Sequence, residues 1–130
     1  MRFEFIVPGK VIPLARARHG KHGNVYTPTR STAYQREIWI AAQKAGIWQL
    51  HFGLKPVWVG IRVYVKPKRA SSQYPTSRPD IDNYLKQVLD ALAPAYHDDA
   101  QVVGILRADK LYGEPRLEVT ITDAADRWMP

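Results

Sequence analysis

Asp80-Ile81-Asp82-Asn83-Tyr84-Leu85-Lys86-Gln87-Val88-Leu89-Asp90-Ala91-Leu92-Ala93-Pro94 is the stretch on which the fold turns. Ile81, Leu85, Val88, Leu89 and Leu92 recur at spacings of three and four, which draws one apolar stripe down a core-facing helix. The helix begins around Asp80 to Asp82, where the dipole favours an acid, and continues to about Ala93, where Pro94 stops it. Upstream, Pro56 to Val65 places Val57, Val59, Ile61, Val63 and Val65 on one face and Trp58 and Tyr64 on the other, the alternation of a strand. Downstream, Gln101 to Asp109 and Arg116 to Thr122 read as two further strands joined across Tyr112-Gly113-Glu114-Pro115. Val102, Val103 and Ile105 mark the first of these as core-bound.

Working back to the start, Phe3, Phe5 and Val7 alternate over Met1 to Pro8, a first strand ended by Pro8-Gly9. Residues 9–30 carry Lys10, Arg16, Arg18, Lys21 and Arg30 among Gly, Pro and His, and read as an exposed basic loop with a short strand at Asn24 to Thr27. Ser31 or Thr32 caps a helix to about Lys44, with Tyr34, Ile38, Ala41 and Ala42 on its apolar side. Residues 66–79 are basic, rich in Ser and Pro and aperiodic, a mobile loop, and residues 123–130 are a short polar tail. The order β-α-β-α-β-β predicts an α/β (α+β) fold: one small domain over residues 1–130, with a mixed β-sheet and two main helices packed on it.

The chain has 130 residues, 45% hydrophobic and 11% aromatic, enough apolar surface for one core. No apolar run approaches the roughly 20 residues that span a bilayer, and the N-terminus lacks the features of a secretory signal, so a soluble, intracellular protein is expected. Zero cysteines exclude disulfides, thiolate-ligated zinc, iron–sulfur clusters and thiol nucleophiles. The formal charge of +7 points to a polyanionic partner, and its distribution says more. Met1 to Arg78 holds 14 basic and two acidic residues, whereas Pro79 to Pro130 holds 5 basic and 10 acidic ones. A phosphate-binding surface with its own metal-binding acids has that pattern.

Asp80, Asp82, Asp90, Asp98 and Asp99 fall within twenty residues, with Lys86 among them. Asp82 and Lys86 share a flank of the helix beside its stripe, while Asp98-Asp99 precedes a strand, and a strand edge and a helix start can converge. Carboxylates at one point repel unless a cation lies between them, and a hard divalent ion such as Mg²⁺ takes a few carboxylates together with water and substrate phosphate. Beside a basic surface, such a site suits phosphodiester hydrolysis, with Lys86 neutralising charge that develops on the phosphate. Each residue also has an ordinary reading. Asp80 or Asp82 alone is a helix cap, Lys86 an i,i+4 partner of Asp82 or Asp90, Asp98-Asp99 a turn, and Asp90 an exposed structural acid. His97 reads as a solvated turn residue, and His19 and His22 as members of a basic loop rather than metal ligands.

Arg78-Pro79-Asp80-Ile81-Asp82-Asn83-Tyr84-Leu85-Lys86, Leu89-Asp90-Ala91-Leu92 and Asp98-Asp99-Ala100-Gln101-Val102-Val103 together closely resemble the RusA-type Holliday junction resolvases, the phage and prophage crossover-junction endodeoxyribonucleases. The resemblance extends more weakly to Pro13, Arg16, Arg18 and Tyr26-Thr27-Pro28, and to Leu117-Glu118-Val119-Thr120-Ile121. It implies a homodimeric, Mg²⁺-dependent nuclease, with Mn²⁺ as a substitute, that cuts four-way DNA junctions by symmetric nicks in recombination and repair, in the cytoplasm of a bacterium and encoded by a phage or prophage. By position, Asp80, Asp82 and Asp99 match the family's catalytic carboxylates, Lys86 its catalytic lysine, and Asp98 a neighbouring acid that joins the metal set. The DNA-binding residues expected around them are Arg16, Arg18, Lys66, Lys68, Arg69 and Arg78. Two other readings keep the same residues: a junction-binding protein that does not cleave, and a metal nuclease for other branched DNA.

Overall fold

The computed structural model describes residues 1–15, 18–26, 28–67 and 72–124, with Arg18 and Tyr26 described by backbone alone. Four strands form one sheet: β1 (Arg2–Pro8), β4 (Val57–Val65), β5 (Val102–Tyr112) and β6 (Arg116–Thr122), in the spatial order β1-β6-β4-β5. β6 is antiparallel to both β1 and β4, while β4 and β5 run parallel, the arrangement a helical crossover permits. That crossover carries α2 (Ile81–Leu92), and α1 (Thr29–Lys44) lies between β1 and β4 in sequence. A two-stranded ribbon of β2 (Arg18–His19) and β3 (Val25–Tyr26) stands within the stretch read as a basic loop. The mixed sheet with two helices is the expected α+β architecture.

The core explains the layering. Val57, Val59, Ile61 and Val63 alternate down β4 and are fully buried with Leu117, Val119 and Ile121 of β6. Helix α1 contributes Tyr34, Ile38 and Ala42 to this core, and α2 contributes Tyr84, Val88, Ala91 and Leu92. The buried face of α2 is rotated from the expected stripe, because Ile81, Leu85 and Leu89 pack at its margin while Tyr84, Gln87 and Ala91 are buried. Gln87 is accommodated by donating to the Ser31 carbonyl at 3.1 Å and accepting from the Gln35 amide at 2.9 Å, which ties α2 to α1.

Two local expectations differ from the structure. Helix α1 starts at Thr29 behind Pro28, and Ser31 is not its cap: its hydroxyl is buried and accepts from the Ala15 N–H at 2.9 Å, fastening the preceding loop to the helix. Val103 is 57% exposed and Ile105 39%, since β5 is the sheet edge and a register irregularity sets Val103 outside the pairing. At the end of the 66–79 stretch, of which residues 68–71 lie outside the described residues, Pro75 is buried and the Ser77 and Pro79 carbonyls accept hydrogen bonds from Lys110. Among the described residues, no helix is long and apolar enough to cross a membrane.

Candidate active site

Asp80 occupies the N-cap position of α2, in extended backbone, yet its side chain makes no capping hydrogen bond, so the cap does not consume the carboxylate. Asp82 follows in the first turn and is exposed. Two anchors hold this end of the helix. The Asn83 carbonyl accepts from the Leu14 N–H at 3.2 Å, and the Lys110 ammonium donates to the carbonyls of Ser77 at 2.8 Å and Pro79 at 2.9 Å. Lys110 thereby fixes the backbone immediately before Asp80. Sequence reasoning passed over it, because a lysine within a strand some thirty residues away carries no local signal of that role.

Lys86 lies one turn beyond Asp82 and one turn before Asp90, on the same flank. Partial burial raises the Asp90 carboxyl above its ordinary value, with the negative charge of Asp99 adding to the rise and the Lys86 ammonium opposing it. Tyr96 is pushed up to about 12, by burial first and then by the charges of Asp99 and Asp90. Its hydroxyl donates to the Leu89 carbonyl at 3.2 Å. Asp99 therefore lies within range of charge interaction with Asp90 and Tyr96.

The turn that presents Asp99 is built by its neighbours. One Asp98 carboxylate oxygen accepts from the Ala100 N–H at 2.8 Å. Gln101 answers: its carbonyl oxygen accepts from the N–H groups of His97 and Asp98, both at 2.8 Å, and its amide donates to the carbonyls of Gly53 and Lys55. Asp98 and Gln101 form a capping box on a single 3₁₀ turn (Asp99–Gln101), and this box leaves the exposed Asp99 side chain without a partner among the described residues.

The carboxylates therefore stand in two groups. Asp80 and Asp82 are at the start of α2, and Asp98 and Asp99 are near its end, where Asp90 lies about 12 Å along the axis from Asp82. Asp80 and Asp82 stand at the first turn of α2, and Asp99 follows its last turn. Among the described residues, no three His, Asp or Glu side chains gather closely enough to hold one metal ion, His19 and His22 included. All four acids nonetheless lack ion-pair partners there, as does Lys86, whereas Glu4, Asp109, Glu118 and Asp123 each sit in a salt bridge. Of the residues expected to bind DNA, Lys66 and Arg78 are exposed and line one cleft beside the start of α2. Arg18 lies on β2 by its backbone, and Arg16, Lys68 and Arg69 fall outside the described residues.

Comparison with known proteins matches the sequence to a family. A model described as Endodeoxyribonuclease RusA matches residues 8–122. The protein named "Uncharacterized protein YqaN" of Bacillus subtilis (strain 168) is 32% identical over 140 residues, covering 94% of this chain and 96% of its own. The crossover junction endodeoxyribonuclease rusA of Lactococcus phage r1t is 40% identical over 62 residues, covering 45% of this chain and 47% of the phage protein. Since the family match runs from the end of β1 to the end of β6, this chain belongs to the RusA family of endodeoxyribonucleases.

Proposed function

We propose that the protein resolves four-way DNA junctions by paired symmetric nicks, as a Mg²⁺-dependent homodimer acting in recombination and repair in the bacterial cytoplasm, with Asp80, Asp82, Asp99 and Lys86 as its catalytic groups. One observation carries the reading beyond family membership: Asp80 and Asp82 at the start of α2, Lys86 one turn on and Asp99 on the 3₁₀ turn after the helix are all exposed and without ion-pair partners among the described residues.

Their chemistry suits a hard divalent ion: exposed carboxylate oxygens, free of capping bonds at Asp80 and with one oxygen engaged at Asp98. When bound, such an ion lowers the pKa of a water and stabilises the leaving oxygen of a phosphodiester. Asp80 and Asp82 would hold it from the helix start, and Asp99, with Asp98, from the 3₁₀ turn. The separation of these groups within one chain gives the homodimer a chemical role, since a second copy can supply the carboxylates that one copy holds apart. Lys86, midway between the groups, would bind the charge that develops on the phosphate. Lys110 and Gln101 act on position alone: they fix the backbone before Asp80 and around Asp99.

The separation of the carboxylates is also the observation that favours the second reading, a junction-binding protein that does not cleave. Nicking of a labelled four-way junction and of linear duplex of the same sequence, with and without Mg²⁺, decides between them. Paired nicks in the junction with Mg²⁺, and none in the duplex or in EDTA, are the expected result. Junction binding that no divalent metal converts to cleavage overturns the enzymatic reading, and equal cutting of flaps and forks shifts the substrate to branched DNA in general.

A further inference from the structure

Beside the start of α2, a cleft of about 430 Å³ opens between the ends of β4 and β5, the residues after β1, and the segment leading to Asp80. Tyr64, Tyr84 and Tyr112 line it, with Pro79 in the wall that continues into Asp80. The Tyr64 side chain stands on the other face of the sheet from Tyr112, where the Arg116 guanidinium covers its ring at 3.6 Å from the centroid, so Tyr112 supplies the free aromatic wall. Tyr84 is 4% exposed and so supplies a rigid floor. Lys10, Lys66 and Arg78 are exposed at the same cleft, no acidic residue lines it, and none of the three has an ion-pair partner among the described residues. Lys110 also reaches the cleft, but its ammonium is spent on the Ser77 and Pro79 carbonyls, where it stiffens the wall.

Aromatic and proline walls with a cationic, acid-free rim fit a flat aromatic group that carries negative charge, which is the chemistry of a nucleotide. We propose that this cleft receives one unstacked nucleotide of the DNA strand to be cut, its base against Tyr112 and the proline wall and its phosphate at the rim of Lys10, Lys66 and Arg78. The proposal rests on the junction-nuclease reading and adds to it a base-accepting site one residue away from Asp80. In a duplex arm every base pair is stacked on both sides, whereas in an opened junction the pairs that flank the exchange point lose a stacking neighbour, which lowers the cost of extruding a base there.

The test pairs a protein change with a DNA change. Four-way junctions carrying an abasic site at each nucleotide flanking the exchange point are bound, without divalent metal, by the wild type, Tyr112→Leu and Tyr112→Phe. At one strand position the missing base is expected to weaken wild-type binding about tenfold. Tyr112→Leu is expected to weaken the intact junction by about the same factor while leaving that abasic junction unchanged, and Tyr112→Phe to bind like the wild type. If no abasic position matters, or if Tyr112→Leu weakens intact and abasic junctions equally, the proposal falls. Binding of free deoxymononucleotide that does not compete with the junction would assign the cleft to a soluble nucleotide and overturn it too. Wild-type cleavage in Mg²⁺ is scored on the same intact junctions. Cleavage without the coupling removes this inference alone, and the coupling without cleavage removes the nuclease reading alone.

Discussion

Gln101 spends its full hydrogen-bonding capacity on the turn that carries Asp98 and Asp99: two bonds accepted by its carbonyl oxygen and two donated by its amide. Replacing it with Ala leaves two backbone N–H groups and two carbonyls to find water, and releases the turn from residues 53–55. Gln101→Ala is expected to lower stability by about 1–3 kcal/mol in urea unfolding and to reduce junction cleavage further than junction binding. Unchanged stability would show that the clamp is not made. Part of this was legible in the sequence, because an Asp followed three residues later by Gln is the spacing of a capping box. Lys110 was not legible, since its partners are carbonyls of a distant segment and its neighbours in sequence are those of an ordinary strand. The catalytic candidates were the easiest to single out, because acids and a lysine at helix spacing stand out whatever packs around them.

At the scale of elements, periodicity located both helices and all four main strands to within a few residues, since each buries one face. Its failures share a cause. The buried face of α2 includes Gln87 and Tyr84, whose burial depends on partners from α1 and the sheet. The character of β5 depends on which strand it pairs with, and a Val-rich run reads as core until its place at the sheet edge is known. That edge carries its own constraint. Gly104 lies opposite Trp58 across the parallel pair, and a Cβ at position 104 would come within 2.5 Å of the indole. Gly104→Ala is therefore expected to cost about 1–3 kcal/mol, read as a lowered urea midpoint, because the indole must shift to admit the new methyl group. A midpoint unchanged from the wild type would mean that β4 and β5 are not in this register.

At the scale of the whole molecule, the uneven charge was plain in the sequence: the basic residues lie mostly before Arg78 and the acids mostly after it. The fold gives that asymmetry a place, because Lys10, Lys66 and Arg78 meet at the cleft beside Asp80. Junction affinity is expected to fall steeply with salt, and Lys66→Ala to reduce the slope of log affinity against log salt by about one phosphate contact. A slope equal to the wild type would place Lys66 off the DNA. The division of the carboxylates by the length of α2 was not legible, since spacing along the chain said only that a helix start and a strand edge can meet.

The central claim is that Asp80 and Asp82 of one copy act together with Asp99, and that the dimer unites what one chain holds apart. Co-expressed Asp82→Asn and Asp99→Asn chains test it on a labelled four-way junction in Mg²⁺. Each variant alone is expected to be inactive, while the mixed dimer, which retains one site with both acids intact, makes single nicks. Wild-type cutting by either variant alone would contradict the assignment of the acids, and a mixed dimer as inactive as its parents would contradict the sharing of the site between copies.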